Sequence, residues 1–305
     1  MARTDFDVVT GAFSYNGSYL ARRLVATGRR VVTLTGHPDR PNPFGDRVTT
    51  APFDFDHPDR LAESLRGATT LYNTYWIRFS RGSLTFDRAV RNSEILFQAA
   101  REAGVSRVVH YSVTNCSLDS PLPYFRGKAQ VERSLAATGI SHAILRPPLI
   151  FGSGDILVNN IAWLLRRFPF FALFGSGDCR LNTVSAEDVA EVAVQAGGEG
   201  ENRTINVLGP ETYTFAELVR LIAAKIGSRA RVIHLPPGMA LSLSRIAGLL
   251  VRDVVLTRDE VEGLRSNLLI ADSAPLGQTR FSDWLEKNAD QIGIRYASEL
   301  GRHFR

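Results

Sequence analysis

Cysteine is scarce in this chain: Cys116 and Cys179 are the two examples among 305 residues. A disulfide-stabilised scaffold is therefore excluded, and the sequence predicts a protein of the reducing cytoplasm. Long apolar runs are missing as well. The nearest to one, 239–256, is interrupted by two arginines, and residues 1–7 contain no apolar segment. We therefore expect neither a membrane-spanning helix nor a secretory signal peptide.

Several motifs that carry chemistry are also missing. The six histidines form no His-x-x-x-His pair and no cluster with cysteine, so no metal site is predicted. A Gly-x-Ser-x-Gly motif is absent too, which leaves hydrolase chemistry without support. Lysine is rare, since the 36 basic residues include three lysines, and no run of five or more Lys or Arg occurs. Despite a pI near 9.5, we expect no nucleic-acid partner.

What the chain does contain is an alternation of strand and helix patterns. Short apolar runs predict strands at 8–10, 30–35, 47–53, 69–74, 107–112 and 142–146, separated by helices at 18–27, 58–66, 84–103 and 124–138. This alternation predicts an α/β fold with a doubly wound parallel sheet of the Rossmann type. Beyond residue 152 the pattern changes: a further helix is predicted at 186–196 and a strand at 204–207. From residue 210 onward helical patterns dominate, at 215–226, 239–251, 259–265 and 281–303, and they predict a smaller, mostly helical C-terminal domain.

The end of the first predicted strand carries a glycine turn. Residues 10–17 read Thr-Gly-Ala-Phe-Ser-Tyr-Asn-Gly, with glycine at the first and last positions of a Gly-x-x-Gly-x-x-Gly pattern and serine in the middle. Small residues let the backbone amides approach a pyrophosphate at the following helix N-terminus. A purely structural turn is the alternative. The dinucleotide site predicted here comprises Gly11, Phe13, Ser14, Tyr15, Asn16 and Gly17, with the serine hydroxyl available to a phosphate.

The end of the second predicted strand bears on the choice of cofactor. An acidic residue at this position favours NAD, and a basic one favours NADP. No acid follows Thr35 directly. His37 or Arg40 would meet a 2′-phosphate, whereas Asp39 would reach a ribose hydroxyl. The sequence therefore predicts NAD or NADP, with a slight preference for NADP.

A tyrosine and a lysine follow the fifth predicted strand. Tyr124 and Lys128 are four residues apart, so they lie on one face of the predicted helix. A free tyrosine has a pKa of about 10, and a nearby ammonium lowers it toward the value that a base needs at neutral pH. Ser112 or Thr114 would orient the substrate oxygen. We predict an acid/base pair here, the alternative being a packed tyrosine and a solvated lysine.

Together these motifs resemble the short-chain dehydrogenase/reductase superfamily in its extended or atypical form, which includes NAD-dependent epimerase/dehydratase-like and NmrA-like proteins. Further support comes from Asp54, Glu132 and the segments 146–152 and 182–190. The resemblance covers roughly residues 5–227. The rest of the chain is similar to the tail of bacterial relatives of the nucleotide-binding accessory subunit of respiratory complex I.

The resemblance implies two domains with different binding functions. Residues 1–152 and 181–207 would form the NAD(P)-binding domain, and residues 153–180 and 208–305 the substrate-binding subdomain. Lys128 would hold the nicotinamide ribose. The other implied cofactor contacts are Asp54 and Phe55 at the adenine, Asn73, Thr74 and Tyr75 along the ribose and nicotinamide, and Pro147 and Ile150 at the nicotinamide.

The implied activity is that of an NAD(P)-dependent oxidoreductase or epimerase/dehydratase. Its partner would be a small-molecule substrate with a hydroxyl or carbonyl group, and the protein would be a monomer or homodimer. Three departures from the family pattern leave an alternative open: Ser14 replaces a usual glycine, Ala89 stands where an asparagine is usual, and the bulky Tyr75 and Trp76 follow the fourth strand where small residues are usual. The alternative is a non-catalytic NAD(P)-binding protein with a regulatory or structural role.

Overall fold

The computed structural model of the chain describes residues 6–303. Residues 1–5, on which part of the signal-peptide prediction depends, and residues 304–305 lie outside the described residues. The chain divides into two compact units. The first unit comprises Met1–Pro147 and Ala186–Val207, and the second unit comprises Pro148–Ser185 and Leu208–Arg305.

Strands and helices alternate through most of the described residues. The strands are β1 (Phe6–Thr10), β2 (Arg30–Thr35), β3 (Val48–Pro52), β4 (Ala68–Asn73), β5 (Arg107–Tyr111), β6 (Ser141–Arg146), β7 (Leu149–Phe151), β8 (Phe170–Phe174), β9 (Arg180–Ser185), β10 (Arg203–Asn206), β11 (Thr212–Thr214) and β12 (Arg231–Leu235). The helices are α1 (Tyr15–Ala26), α2 (Pro58–Leu65), α3 (Phe86–Glu102), α4 (Pro123–Ala137), α5 (Leu157–Arg167), α6 (Ala186–Gly198), α7 (Phe215–Lys225), α8 (Pro237–Val251), α9 (Arg258–Arg265), α10 (Phe281–Asn288) and α11 (Glu299–His303).

The first unit is built on a seven-stranded parallel sheet in the order β10-β6-β5-β4-β1-β2-β3. Strand β5 is buried along its whole length, as expected for a parallel strand covered by helices on both faces. The strand order reverses between β1 and β4. The carboxyl ends of these two strands therefore form the switch point at which such sheets bind ligands. The predicted doubly wound sheet is confirmed.

Apolar spacing explains the helices that cover this sheet. Helix α3 starts at the N-cap Thr85, whose side chain accepts a hydrogen bond from the N–H of Arg88. It buries Leu96, Phe97 and Ala100, which recur at helical spacing and join the sheet residues in one core. Helix α4 begins with a proline in its first turn, where the missing N–H costs no hydrogen bond.

The second unit contains two small sheets, β11-β9-β7 and β12-β8, together with helices. Its core includes the fully buried side chains of Phe151, Leu218 and Phe281. The sequence analysis did not predict these strands, because three to six residues between helical patterns show too little alternation. The predicted helix 281–303 is wrong: it is divided into α10 and α11. The chain turns at Gly293, where a Cβ atom would lie 2.5 Å from a backbone carbon of α5.

Two kinds of feature are absent from residues 6–303. No helix in that range is both long and apolar enough to cross a membrane. Within the same residues, no three or more His, Cys, Asp or Glu side chains are grouped so that they could hold a metal ion.

Candidate functional site

The glycine turn lies between β1 and α1, at the switch point of the sheet. Gly11 has a φ of 67°, and its N–H donates to the carbonyl of Leu34 at 2.9 Å. A Cβ atom on Gly17 would lie 2.1 Å from the Gly11 oxygen, so a glycine is needed for α1 to start this close to the turn. Ser14 donates its hydroxyl hydrogen to the same oxygen at 2.6 Å and provides no side-chain cap for the helix. The first turn of α1 therefore faces the switch point without a capping side chain.

Polar side chains fasten the two strand ends at the switch point. Thr10 Oγ1 donates to Asn73 Oδ1 at 3.2 Å and accepts from the N–H of Thr74 at 2.7 Å. Asn73 Oδ1 also accepts from the N–H of Tyr75, so its Nδ2 donates to Nδ1 of the buried His110 at 3.1 Å. Burial lowers the pKa of His110 well below its ordinary value, which keeps the imidazole neutral. The Asn73 side chain therefore mainly joins β4 to its neighbours β1 and β5.

Three aromatic rings lie together beyond the ends of β3 and β4. Phe53 and Phe55 have ring centroids 4.4 Å apart, and both lie within 5.4 Å of the Tyr75 ring. Asn92, on α3, donates its amide hydrogen to the Tyr75 hydroxyl at 2.9 Å. Sequence reasoning missed this asparagine because it compared the family position with Ala89, three residues earlier on the helix. The spacing of one helical turn was the available signal.

Residues expected near the adenosine are partly engaged with each other. Thr35 Oγ1 accepts the N–H of His37, whose side chain is exposed, and Arg40 is half-buried. Asp54 accepts a hydrogen bond from His57 Nδ1 at 2.7 Å and another from the backbone N–H of Asp56. The hydrogen bond with His57 is the main reason why the pKa of Asp54 lies below its ordinary value. A carboxylate has room for further donors, so Asp54 stays open to an adenine amino group.

Lys128 is buried on α4. Its Nζ donates to the Tyr111 carbonyl at 2.7 Å and lies 4.7 Å from the centroid of the Trp76 ring, in cation–π contact. Burial lowers the pKa of Lys128 to about 7, and the negative charge of the nearby Glu132 opposes this effect. The carbonyl at the end of β5 and the indole therefore both contact the ammonium group.

The Trp76 ring rests on α4 between the two residues of the predicted acid/base pair. A Cβ atom on Gly127 would lie 3.0 Å from Trp76 Cη2, so the glycine provides the space for the indole. The Trp76 and Tyr124 ring centroids are 6.1 Å apart in an edge-to-face contact. Phe86 stacks on the Trp76 ring, also with 6.1 Å between the centroids. Trp76 Nε1 is buried and has no hydrogen-bond partner among the described residues. Sequence reasoning noted the bulk of this residue but not its contact with the helix.

Ser112 belongs to a buried polar cluster with Cys116, Glu132 and Arg146. The Ser112 hydroxyl donates to Glu132 Oε1, which also accepts from Cys116 Sγ at 3.0 Å. Arg146 binds both carboxylate oxygens of Glu132, with its Nε at 2.9 Å. Burial raises the pKa of Cys116 to about 12, so the thiol stays protonated and acts as a donor. The cluster ties β5, α4 and β6 together.

The remaining predicted residues are divided between the units. Thr114 is buried in the first unit, and its N–H donates to the Pro147 carbonyl at 3.4 Å. Ile150 is a half-buried residue of β7 in the second unit. The first unit thus brings together the turn, Tyr124, Lys128 and the carboxyl ends of β1, β4 and β5.

The buried lysine predicts how stability depends on pH. Folding lowers the pKa of Lys128 from 10.5 to about 7, so the unfolded chain holds a proton there that the folded chain has released. The contribution of Lys128 to the free energy of unfolding therefore rises with pH above 7, by about 2 kcal/mol up to about pH 9. This contribution is lost again as the pH falls through 7, where the folded chain takes up the proton. In urea unfolding of the protein without cofactor, we expect Lys128→Met to remove this rise.

The matched control is Lys225→Met, which removes a lysine that is paired with Glu286 at the surface. It should keep the pH dependence of the wild type. If the difference in the free energy of unfolding between wild type and Lys128→Met stays constant from about pH 7 to pH 9, the lowered pKa of Lys128 is contradicted.

Comparison with known proteins gives relatives of several kinds. The protein is 25% identical over 285 residues to NADH dehydrogenase (ubiquinone) 1 alpha subcomplex subunit 9, mitochondrial, of Arabidopsis thaliana, covering 87% of this chain and 71% of the relative. It is 27% identical over 237 residues to a ceramide reductase of Caulobacter vibrioides, covering 76% and 74%. Among solved structures, triphenylmethane reductase of Citrobacter sp. complexed with NADP(H) superposes with a TM-score of 0.75 at 19% identity, covering 93% and 99%.

The predicted cytoplasmic location is wrong in the light of these relatives. The Arabidopsis protein is mitochondrial by name. A low cysteine count excludes a disulfide scaffold, but it does not distinguish one reducing compartment from another.

A family model accounts for most of the first unit. The model of the NAD dependent epimerase/dehydratase family matches residues 8–208. This match starts within β1, includes the glycine turn and helix α4, and extends past β10, the last strand of the parallel sheet. Because the match includes residues of all seven strands of this sheet and about two thirds of the chain, the protein belongs to the NAD dependent epimerase/dehydratase family.

Proposed function

We propose that the protein binds NAD(P) at the glycine turn and exchanges hydride with the hydroxyl or carbonyl carbon of a small molecule. The observation that carries this proposal is helix α4, which holds Tyr124 and Lys128 one turn apart next to the end of β5. The family assignment and the likeness to a ceramide reductase support it.

The glycine turn fits a dinucleotide. Gly17 leaves a cradle that a Cβ atom would fill, and the first turn of α1 has no side-chain cap. Both features suit a pyrophosphate at the helix N-terminus. When bound, the nicotinamide supplies the carbon that gives or takes the hydride. The residues proposed to hold the cofactor are Gly11, Phe13, Ser14, Tyr15, Asn16, Gly17, Thr35, His37, Arg40, Asp54, Phe55, Asn73, Thr74, Tyr75, Lys128, Pro147 and Ile150.

Proton transfer is assigned to Tyr124. Its hydroxyl gives a proton to the substrate oxygen during reduction and removes it during oxidation. The Lys128 ammonium, when protonated, favours the phenolate. Ser112 donates its own hydrogen to Glu132, so its oxygen is left to accept a hydrogen bond from a substrate hydroxyl. Thr114 is the alternative residue for orienting the substrate.

The cofactor preference rests on the end of β2. The positively charged Arg40 is half-buried and the His37 side chain is exposed just after this strand, which supports a contact with a 2′-phosphate. We propose that NADPH binds more tightly than NADH.

A second candidate function is nucleotide binding without catalysis. The specific observation in its favour is Trp76, whose indole rests on Gly127 and contacts both Tyr124 and Lys128. A ring in this place leaves less room for a nicotinamide and a substrate. The likeness to the mitochondrial subunit of NADH dehydrogenase agrees with this candidate.

Nucleotide titration followed by a hydride-transfer screen separates the two candidates. We expect the wild type to bind both nucleotides, with NADPH tighter, and to turn over at least one class of carbonyl compound or sugar nucleotide. Trp76→Ala should then lower turnover about tenfold or more, because Tyr124 and Lys128 lose a contact that positions them. Tight binding without turnover, together with higher NADPH affinity in Trp76→Ala, would overturn the enzyme proposal in favour of the second candidate.

A further inference from the structure

Helix α8 presents an apolar surface that no described residue covers. Its members recur at intervals of three and four residues along one side of the helix. Their exposed fractions range from 46% to 80%, with the largest values at the C-terminal end. We call this surface the α8 outer face; it consists of Met239, Leu243, Ile246, Leu249 and Leu250.

The opposite side of α8 explains why the helix stays attached to the second unit. Ala240 and Gly248 are buried, and a Cβ atom on Gly248 would lie 2.6 Å from the Asp253 carbonyl oxygen. Ala240 and the half-buried Leu241 pack against the core of the second unit, while the five residues of the α8 outer face are exposed. The helix therefore carries more large aliphatic side chains on its exposed side than its packing on the core requires.

Positive charge accompanies the α8 outer face. Arg245, Arg252 and Arg258 are exposed, and none forms an ion pair with a described residue. The helix contains no acidic residue. Asp253, which follows it, is buried and accepts hydrogen bonds from the N–H groups of Glu299 and Leu300. Asp259, at the start of α9, is the next exposed acid along the chain.

We propose that the α8 outer face docks on an anionic lipid bilayer surface. Aliphatic side chains along one side of a helix, with arginines beside them, match the pattern of helices that lie in the membrane interface. The unpaired guanidinium groups complement anionic headgroups. A protein partner is less well matched, because interface hot spots are enriched in tryptophan and tyrosine, and this face has neither.

In this arrangement the C-terminal end of α8 enters the headgroup region first. Leu249 and Leu250 are 80% and 72% exposed, and Arg252 lies two residues after Leu250. Arg252 ends the helix in a left-handed conformation, with a φ of 52°. The α8 outer face includes no residue of the proposed nucleotide site.

Co-sedimentation of the full chain with lipid vesicles tests the proposal. The wild type should bind vesicles that contain phosphatidylglycerol more strongly than vesicles of phosphatidylcholine alone, and added salt should weaken the binding. Leu249→Ser and Leu250→Ser should each weaken it about tenfold or more, since each removes the burial of one leucine. Arg245→Gln should weaken it about fivefold on anionic vesicles.

The control is Leu276→Ser, which changes an exposed leucine outside α8, at 48% exposure. It should bind vesicles like the wild type. All variants should keep the circular dichroism and NADPH affinity of the wild type, which separates this test from that of the proposed function. Failure of the wild type to bind anionic vesicles, or equal loss in the Leu276 control, would overturn the proposal. So would size-exclusion data showing that Leu250→Ser dissociates an oligomer while vesicle binding is unchanged, since the face would then be an interface between copies.

Discussion

Replacing Tyr124 with phenylalanine is expected to lower turnover by at least about 100-fold, the usual contribution of a general acid/base. The substitution removes one hydroxyl and keeps the ring. The edge-to-face contacts of that ring with Trp76, Phe86 and Phe125, at centroid distances between 5.3 and 6.1 Å, are retained. NADPH affinity and thermal stability should therefore stay close to those of the wild type, and steady-state kinetics with the substrate found in the screen measure the effect.

The control for this experiment is Tyr72→Phe, which removes a phenolic hydroxyl from β4 without changing α4. It should retain turnover. The pH profile gives a second readout, since the variant should lose the limb that reports the acid/base group. Turnover of Tyr124→Phe within about threefold of the wild type would show that another group moves the proton.

Replacing Gly17 with alanine is expected to have the second large effect. The new Cβ atom would lie 2.1 Å from the Gly11 oxygen and 2.7 Å from its carbonyl carbon. Both are backbone atoms, so no side-chain rotation relieves the clash and α1 must move away from the turn. We expect a loss of about 2 kcal/mol or more in the free energy of unfolding. NADPH binding should fall below detection at concentrations that saturate the wild type.

Gly198→Ala is the matched control, because the same substitution at the end of α6 meets no atom within 4 Å. Urea unfolding and NADPH titration should both give wild-type values for it. If Gly17→Ala loses stability but binds NADPH normally, then the close approach of α1 to the turn serves packing alone, and the assignment of the cofactor site is wrong.

The parallel sheet could be predicted because its signals are local. Strands β1 and β5 each carry a Val-Val pair at buried positions, and each is followed by a helix whose buried positions recur at helical spacing. The glycine turn was equally visible, since it directly follows β1. In the second unit the strands are short. The sequence around Phe171 and Phe174 of β8 contains no signal that predicts its pairing with β12. That pairing depends on contacts about 60 residues apart in the chain.

The residue types of the candidate site were easier to predict than their bonding. Ser112 was expected to be free for a substrate, but its hydrogen is donated to Glu132. Lys128 was expected beside the ribose, and its Nζ lies on the Tyr111 carbonyl and over the Trp76 ring. Such contacts join residues that are far apart in sequence, so spacing alone does not reveal them.

The contact between Trp76 and Gly127 links two distant positions in evolution. With 3.0 Å between the indole and the place of a Cβ atom, a side chain at residue 127 requires the Trp76 ring to shift. A larger residue at position 127 is therefore better tolerated when residue 76 is smaller, because two large side chains here would be overpacked. Substitutions at these two positions are therefore coupled, although 50 residues separate them along the chain.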